Sequence, residues 1–153
     1  KGYKEYKKAG KSEILPKMLG FQAAGSAPIV LGHPVEKPET IATAIRIGNP
    51  ASWKGAIAAR DESGGLIHSV TDEEITKAYR FIAQREGVFA EPASVAPVAG
   101  VINLAKKGFF KEGSRIVITL TGAGLKDPDF ALSFEDPVFK VPSTLEAVKE
   151  VIR

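Results

Sequence analysis

The sequence predicts an α/β fold with a mainly parallel twisted sheet and flanking helices, and three observations carry this prediction. Short β-branched runs alternate with stretches of helical periodicity along the chain. The most regular helical stretch follows a capping box at residues 71–74 and repeats its apolar residues on one face. The continuous apolar run 115–120 is typical of a strand buried on both faces, as in the centre of a parallel sheet.

The composition is that of a soluble globular domain. The chain has 153 residues, 44% of them hydrophobic and 25% charged, which is enough for one domain with a real core. A net charge of +3 is too small to indicate a nucleic-acid partner, and the absence of cysteine excludes disulfides. No apolar run has membrane-spanning length and no signal peptide opens the chain, so we expect a cytoplasmic location and no membrane partner.

The first half of the chain alternates helices with strands. Lysines close to Gly10 suit the C-terminal end of a helix, where the dipole favours cations. Ser26 is placed to cap a short helix that has Pro28 in its first turn. Because the chain opens inside a helical pattern without Met, we expect a piece of a longer protein. The predicted elements are a helix ending at Gly10, a strand over 16–23, a helix over 27–31, a helix over 53–61 and a strand over 66–70.

The second half begins with two long helices. The first is amphipathic, ends at Gly87, and has a common face made of Ile75, Ala78, Tyr79, Ile82 and Ala83. The second is almost entirely apolar and should be buried, with Pro92 at its first turn. This second helix is predicted over 93–107. Strands are predicted over 115–120 and 137–141. A last helix is capped by Ser143 and lined by Leu145, Val148 and Ile152.

Thr121 is the first candidate for a functional residue. It ends the apolar run 115–120, and ligands of parallel sheets gather beyond the carboxyl ends of strands. Gly122 and Gly124 would give a ligand close access to the backbone. An ordinary turn, in which the hydroxyl satisfies its own backbone, is the alternative interpretation, because Gly-x-Gly after a strand is a weak signal.

A second group of candidates precedes the turn at Asn49. Ala42, Thr43 and Ala44 have side chains small enough for a flat ligand to lie against their backbone. Arg46, between two isoleucines, predicts an anionic partner, which is either a structural carboxylate or a substrate phosphate.

Glu91 and Ser94 open the apolar helix, where the dipole end is positive. The carboxylate either stabilises the helix start or faces a polar ligand, and the sequence supports both equally. Neither histidine, His33 nor His68, has a partner at metal-ligating spacing, so no metal site is predicted.

Three stretches resemble the threonine synthase family of fold type II pyridoxal-phosphate enzymes. They are residues 39–53, 87–94 and 120–128, in the family's order and spacing, and the resemblance runs from about residue 1 to residue 129. The Ala-Thr-Ala-Ile-Arg-Ile-Gly-Asn-Pro-Ala-Ser-Trp run at 42–53 is the most specific of them. Glu-Pro-Ala-Ser at 91–94 is shared more widely among fold type II enzymes.

The resemblance implies conversion of O-phospho-L-homoserine and water to L-threonine and phosphate, with pyridoxal 5'-phosphate as cofactor. It implies that Thr121 faces the pyridine nitrogen and that Ala42, Thr43 and Ala44 line the cofactor. Further cofactor-binding positions that it implies are Glu91, Ser94 and Gly122.

The family's Schiff-base lysine and its loop around the cofactor phosphate belong to an N-terminal half that these residues do not include. We therefore expect residues 1–153 to be a portion of the C-terminal cofactor-binding domain, to contain no catalytic residue and to be inactive alone. The missing half of the same enzyme is the expected partner. Members of the family are commonly dimeric, so we also expect a homodimer. Substrate-contacting residues are unknown.

Three other functions stay open at this stage. A related fold type II enzyme such as a threonine dehydratase would share the chemistry, although the run 46–50 argues against it. A non-catalytic phosphate-binding module would need a Gly-x-Gly-x-x-Gly or Walker pattern, and the chain has neither. A purely structural fragment is the last alternative.

Overall fold

The computed structural model describes residues 1–134 and 139–152. Its described part has one sheet, in which strands β1 (Leu19–Ala23) and β2 (Leu66–Val70) pair in parallel. The register sets Leu19 opposite Leu66 and Ala23 opposite Val70. The α/β class with a parallel sheet and flanking helices is therefore confirmed.

Helices make up most of the regular structure in the described residues. None of the described helices is long and apolar enough to cross a bilayer. Short 3₁₀ turns lie at Ala24–Ser26, Thr43–Ile45 and Gly124–Lys126. The helices are α1 (Gly2–Lys8), α2 (Pro28–Leu31), α3 (Trp53–Ser63), α4 (Asp72–Glu86), α5 (Pro92–Lys106), α6 (Pro128–Leu132) and α7 (Leu145–Val151).

Helix α4 begins and ends where its local sequence predicts. The Glu74 backbone N–H donates to Thr71 Oγ1 at 3.2 Å, and the Thr71 N–H donates to Glu74 Oε2 at 2.8 Å, which completes the capping box. Gly87 ends the helix with φ of 66°. The predicted apolar face is buried at Ile75, Ala78 and Tyr79, although Ala83 is exposed.

Helix α5 lies at the centre of the core. It packs on both strands and on α4, as its nearly uniform apolar sequence predicts. Gly100 faces β1 so closely that a Cβ there would lie 2.1 Å from Phe21 Cδ1. The buried residues of the core are Ala23, Ala42, Val70, Ile75, Ala78, Tyr79, Ala90, Val95, Ala96, Val98 and Ala99.

The prediction of a buried strand at 115–120 was wrong. These residues join neither described strand, and Ile116 and Val117 are 42% and 88% exposed. An apolar run becomes a central strand only where neighbouring strands supply hydrogen bonds, and β1 and β2 pair only with each other. Of the strand predicted at 137–141, residues 137–138 lie outside the described residues, and 139–141 carry no strand.

The predicted cap of α2 was also wrong. Ser26 does not cap this helix, because its hydroxyl donates to the Ile45 carbonyl oxygen at 3.2 Å. The N–H groups of Ile29 and Val30 donate instead to Gln22 Oε1, at 3.0 and 3.2 Å. A side chain from β1 thus replaces the local cap, and a local pattern cannot reveal such a partner.

The cap of α7 is displaced by one residue. Thr144 Oγ1, rather than Ser143, accepts from the Ala147 N–H at 3.3 Å. Both residues carry a hydroxyl, so the sequence predicts the chemistry of the cap correctly and its position one residue too early.

Candidate functional site

A buried polar cluster lies at the start of α5. Ser94 is 1% exposed and Glu91 is 5% exposed, in a helix that is otherwise apolar at its core face. Ser94 Oγ accepts from the Gly122 N–H at 2.6 Å and lies 3.2 Å from Thr121 Oγ1. Four predicted cofactor-binding residues, from two separate segments of the sequence, therefore meet at one point.

The backbone holds the two halves of this cluster together. Ala90 and Ala123 form an isolated antiparallel bridge, and the Glu91 N–H donates to the Gly122 carbonyl oxygen at 3.1 Å. A Cβ on residue 122 would lie 2.0 Å from Glu91 Oε1, so the side chain of Glu91 occupies the space that only glycine leaves free. Gly122 is thus required by the packing of Glu91 under the turn.

The Glu91 carboxylate is almost fully enclosed. It makes no hydrogen bond to the N–H groups of its own helix, which argues against the simple role of an N-terminal cap. Its Oε1 lies 3.5 Å from Lys126 Nζ and 3.5 Å from Ser94 Oγ. Because a buried carboxylate needs a compensating charge or hydrogen bonds, Lys126 stabilises it from the solvent side. Sequence reasoning missed Lys126, since no pattern connects it to Glu91.

The Thr121 hydroxyl keeps hydrogen-bonding capacity beyond its contact with Ser94. A hydroxyl has one donor and two acceptor positions, and either oxygen of this pair can donate to the other. Thr121 is exposed, whereas Ser94 is buried beneath it. The arrangement therefore presents one oriented, uncharged hydroxyl to a ligand.

The turn at 42–44 is anchored to α4. Thr40 Oγ1 donates to Asp72 Oδ1 at 2.5 Å, and the Ile41 N–H donates to Asp72 Oδ2 at 3.1 Å. The Ala42 N–H in turn donates to Thr40 Oγ1 at 3.1 Å, and Ala42 is fully buried. The next two residues of the turn are exposed, so a ligand can reach them.

Asp127 joins this turn to the loop that carries Thr121. Thr43 Oγ1 donates to Asp127 Oδ2 at 2.8 Å, across 84 positions of sequence. The predicted segments 42–44 and 121–122 therefore belong to one connected region. Sequence reasoning assigned no role to Asp127 or to Asp72. The signal that could have identified Asp127 is the Asp-Pro pair at 127–128, which is typical of a helix start.

The predicted partial burial of Arg46 was wrong, while a substrate phosphate as its partner stays a prediction. Arg46 is exposed, and its Nε donates to the Thr40 carbonyl oxygen at 3.1 Å. Its partner among the described residues is thus a backbone carbonyl instead of a carboxylate. The flanking isoleucines suggested burial, but a 3₁₀ turn does not bury alternate residues as a strand does.

The described part of the chain holds no group of three or more His, Asp or Glu residues that could bind a metal ion. His33 is exposed, and its Nδ1 lies 2.9 Å from the neighbouring Pro34 carbonyl oxygen.

The comparison with known families gives the class of protein, and the parallel sheet agrees with it. The chain belongs to the family described as pyridoxal-phosphate dependent enzymes, whose model matches residues 1–122. Within that family the chain is similar to threonine synthases. The chain is 54% identical over 150 residues to the enzyme of Mycobacterium leprae and 57% identical over 131 residues to that of Synechocystis sp..

These matches cover 98% and 86% of this chain, but 42% and 34% of the two relatives. The threonine synthase of Bacillus sp. is 51% identical and covers the whole chain, which corresponds to 44% of that relative. The chain thus spans less than half the length of the curated relatives it matches.

Solved structures agree on the fold. Maize serine racemase superposes with a TM-score of 0.59 at 19% identity, over 76% of this chain and 38% of that one. A threonine deaminase from T.th. gives a TM-score of 0.50 at 22% identity, over 60% of this chain and 35% of that one. At these identities the comparison supports the architecture alone.

The residues present fit one part of pyridoxal phosphate. The ring nitrogen of a pyridine takes a single hydrogen-bonding partner, and the exposed Thr121 hydroxyl, 3.2 Å from Ser94 Oγ, has the chemistry to be one. Thr43 and Ala44 are exposed and leave their part of the turn accessible, whereas Ala42 is buried beneath them. The described residues offer no Gly-rich cradle for the cofactor's phosphate, so we assign none.

Proposed function

We propose that this chain is the C-terminal, cofactor-binding portion of a threonine synthase. The reaction is the conversion of O-phospho-L-homoserine and water to L-threonine and phosphate, a carbon–oxygen lyase reaction with loss of phosphate. The hydroxyl pair of the buried Ser94 and the exposed Thr121, 3.2 Å apart, carries the proposal. The identity of 51–57% to threonine synthases supports it.

In this proposal each residue of the cluster has a separate task. Thr121 binds the ring nitrogen of the cofactor, and Ser94 orients the Thr121 hydroxyl. Glu91 fills the space under Gly122 and so sets the position of the turn relative to α5. Lys126 compensates the negative charge of Glu91. The turn at 42–44 bounds the site on its other side. When bound, pyridoxal phosphate supplies an electron sink for charge that develops on the substrate.

A hydroxyl at the ring nitrogen has a consequence for reactivity. A carboxylate there would favour a protonated, positively charged ring nitrogen, because opposite charges stabilise each other. The uncharged Thr121 hydroxyl does not impose that charge. An uncharged ring is a weaker electron acceptor than a protonated one. A weaker acceptor suits a reaction in which negative charge on the substrate must drive the loss of the γ-phosphate.

The proposal places the remaining machinery in the N-terminal part of the same enzyme. The lysine that holds the cofactor, the cradle for its phosphate and most substrate contacts belong there, and this chain alone is inactive. The longer length of the relatives supports this division. We also propose a cytoplasmic homodimer.

The first test is an assay of the full-length protein encoded by the gene that carries this sequence. We expect it to release phosphate from O-phospho-L-homoserine and to form L-threonine in equal amounts when loaded with pyridoxal phosphate. Production of 2-oxobutyrate and ammonia from L-threonine, without phosphate release from O-phospho-L-homoserine, would instead identify a threonine dehydratase. Failure to bind the cofactor would leave a structural role.

Replacing Thr121 with valine tests the ring-nitrogen contact. The side chains are similar in volume, so we expect the fold to persist while kcat falls by about 10- to 100-fold. The absorption band of the bound cofactor should shift, since its ring nitrogen loses a hydrogen bond. The measurements are steady-state kinetics and the visible spectrum.

Thr119→Val is the matched control. Thr119 lies two residues earlier, is exposed and has no side-chain hydrogen bond among the described residues. Normal turnover and an unshifted band in Thr121→Val would exclude Thr121 from the cofactor site.

A further inference from the structure

Asp127 stands where a helix cap is expected, but its side chain binds elsewhere. It precedes Pro128 at the start of α6, and Asp is among the preferred residues at that position. Nevertheless, its carboxylate accepts no hydrogen bond from the α6 backbone. Its Oδ2 accepts from Thr43 Oγ1 at 2.8 Å instead. The Asp127 carboxylate therefore binds Thr43, which is distant in sequence, and does not cap the helix that it precedes.

The turn that receives this contact is already held on its other side. Asp72, in the first turn of α4, accepts from the Thr40 hydroxyl and the Ile41 N–H. At the end of the turn, the Ile45 carbonyl oxygen accepts from the Ser26 hydroxyl. Asp127 adds the one side-chain bond among the described residues that ties the exposed middle of the turn to the loop of Thr121.

The helix that follows Asp127 packs against the core. Two residues after Pro128, the ring of Phe130 packs edge-to-face on Tyr79 at 5.0 Å, and Tyr79 is buried in the core. Burial raises the pKa of the Tyr79 phenol, and the nearby negative charge of Asp127 raises it further. The segment that follows Asp127 is therefore attached to the core through Phe130.

We infer that Asp127 is a positioning residue, which sets the distance between the 42–44 turn and the Thr121 hydroxyl. The inference rests on the proposed function, because the two segments are opposite walls of the proposed cofactor site. Without the Thr43 bond, the exposed middle of the turn is free to move away from the ring. Small displacements of positioning groups have large effects on turnover, so the bond acts on catalysis without touching the cofactor.

The experiment compares four single variants and one double variant of the full-length, cofactor-loaded protein. Asp127→Ala removes the acceptor, Asp127→Asn keeps an acceptor oxygen, and Thr43→Val removes the donor with little change in volume. Asp129→Ala is the control, since this acid lies in the same loop, is exposed, and has no side-chain hydrogen bond or ion pair among the described residues. The readouts are kcat, KM for O-phospho-L-homoserine, the cofactor's dissociation constant and visible band, and the melting temperature.

We expect Asp127→Ala to lower kcat by about 10- to 100-fold and to shift the cofactor's band, with KM changed much less. Asp127→Asn should recover most of the loss. The double variant of Asp127→Ala with Thr43→Val should be no worse than Asp127→Ala alone, because both remove one bond. Asp129→Ala should behave as wild type.

Wild-type kinetics and spectrum in both Asp127→Ala and Thr43→Val would overturn the inference, as would additive losses in the double variant. A lower melting temperature in Asp127→Ala, with kcat and band unchanged, would show a structural role and would also overturn it. If Asp127→Ala does not fold, Thr43→Val tests the same bond from its exposed side. A wild-type protein that binds the cofactor but does not use O-phospho-L-homoserine contradicts the proposed function. The spectral comparison still decides the role of Asp127.

Discussion

Replacing Gly100 with alanine is expected to destabilise the protein by about 2 kcal/mol. The added Cβ would lie 2.1 Å from Phe21 Cδ1 and Cε1 and 2.4 Å from Cγ. These atoms include the base of the ring, so a simple rotation of its far end does not relieve the contact. Helix α5 or β1 must then shift, at a steric cost near the upper end of about 1–3 kcal/mol. The higher helix propensity of alanine offsets only about 1 kcal/mol of this cost.

Gly55→Ala is the matched control for this prediction. Gly55 also lies inside a helix, α3, but a Cβ there meets nothing within 4 Å. We therefore expect Gly55→Ala to stabilise the protein by up to about 1 kcal/mol. The measurement is thermal and denaturant unfolding of the full-length protein. Equal stabilisation by both variants would show that Phe21 yields without cost, whereas recovery by Phe21→Leu would identify the clash as the cause.

Replacing Ser94 with alanine should have the largest effect on activity. The change removes the acceptor of the Gly122 N–H and the contact that orients Thr121. It also removes the hydroxyl that lies beside the Glu91 carboxylate. An unsatisfied, partly buried N–H costs about 1–3 kcal/mol, and a misplaced Thr121 hydroxyl lowers turnover by a further factor of about 100.

The readouts for Ser94→Ala are kcat, the cofactor's dissociation constant and the melting temperature. Ser114→Ala is its control, because Ser114 is exposed and its side chain makes no hydrogen bond among the described residues. Loss of stability with unchanged kcat and cofactor affinity would show that Ser94 only supports the turn. Loss of cofactor affinity in a well-folded variant is the expected result.

The sequence by itself determined the elements whose causes are local. The capping box at Thr71, the apolar face of α4 and the left-handed glycine at its end are settled within a few residues, and the structure confirms them. The burial of α5 follows from a composition that has no polar face to present to water. The family also followed from short runs of residues.

Only the tertiary structure decided the features that depend on a distant partner. The run 115–120 is as apolar as a central strand, but strand formation needs neighbours that β1 and β2 do not provide. In the same way, Gln22 replaced Ser26 as the cap of α2, and Thr40 gave Arg46 a backbone partner.

The candidate site shows the same division. The sequence identified Thr121, Ser94 and Glu91 as residues of interest, but not the contacts that unite them. Lys126 opposite Glu91 and Asp127 opposite Thr43 are joined across 35 and 84 positions, and no local pattern encodes either pair. Local sequence determines backbone conformation through short-range sterics and hydrogen bonds, whereas packing in three dimensions chooses the partner of each buried charge and hydroxyl.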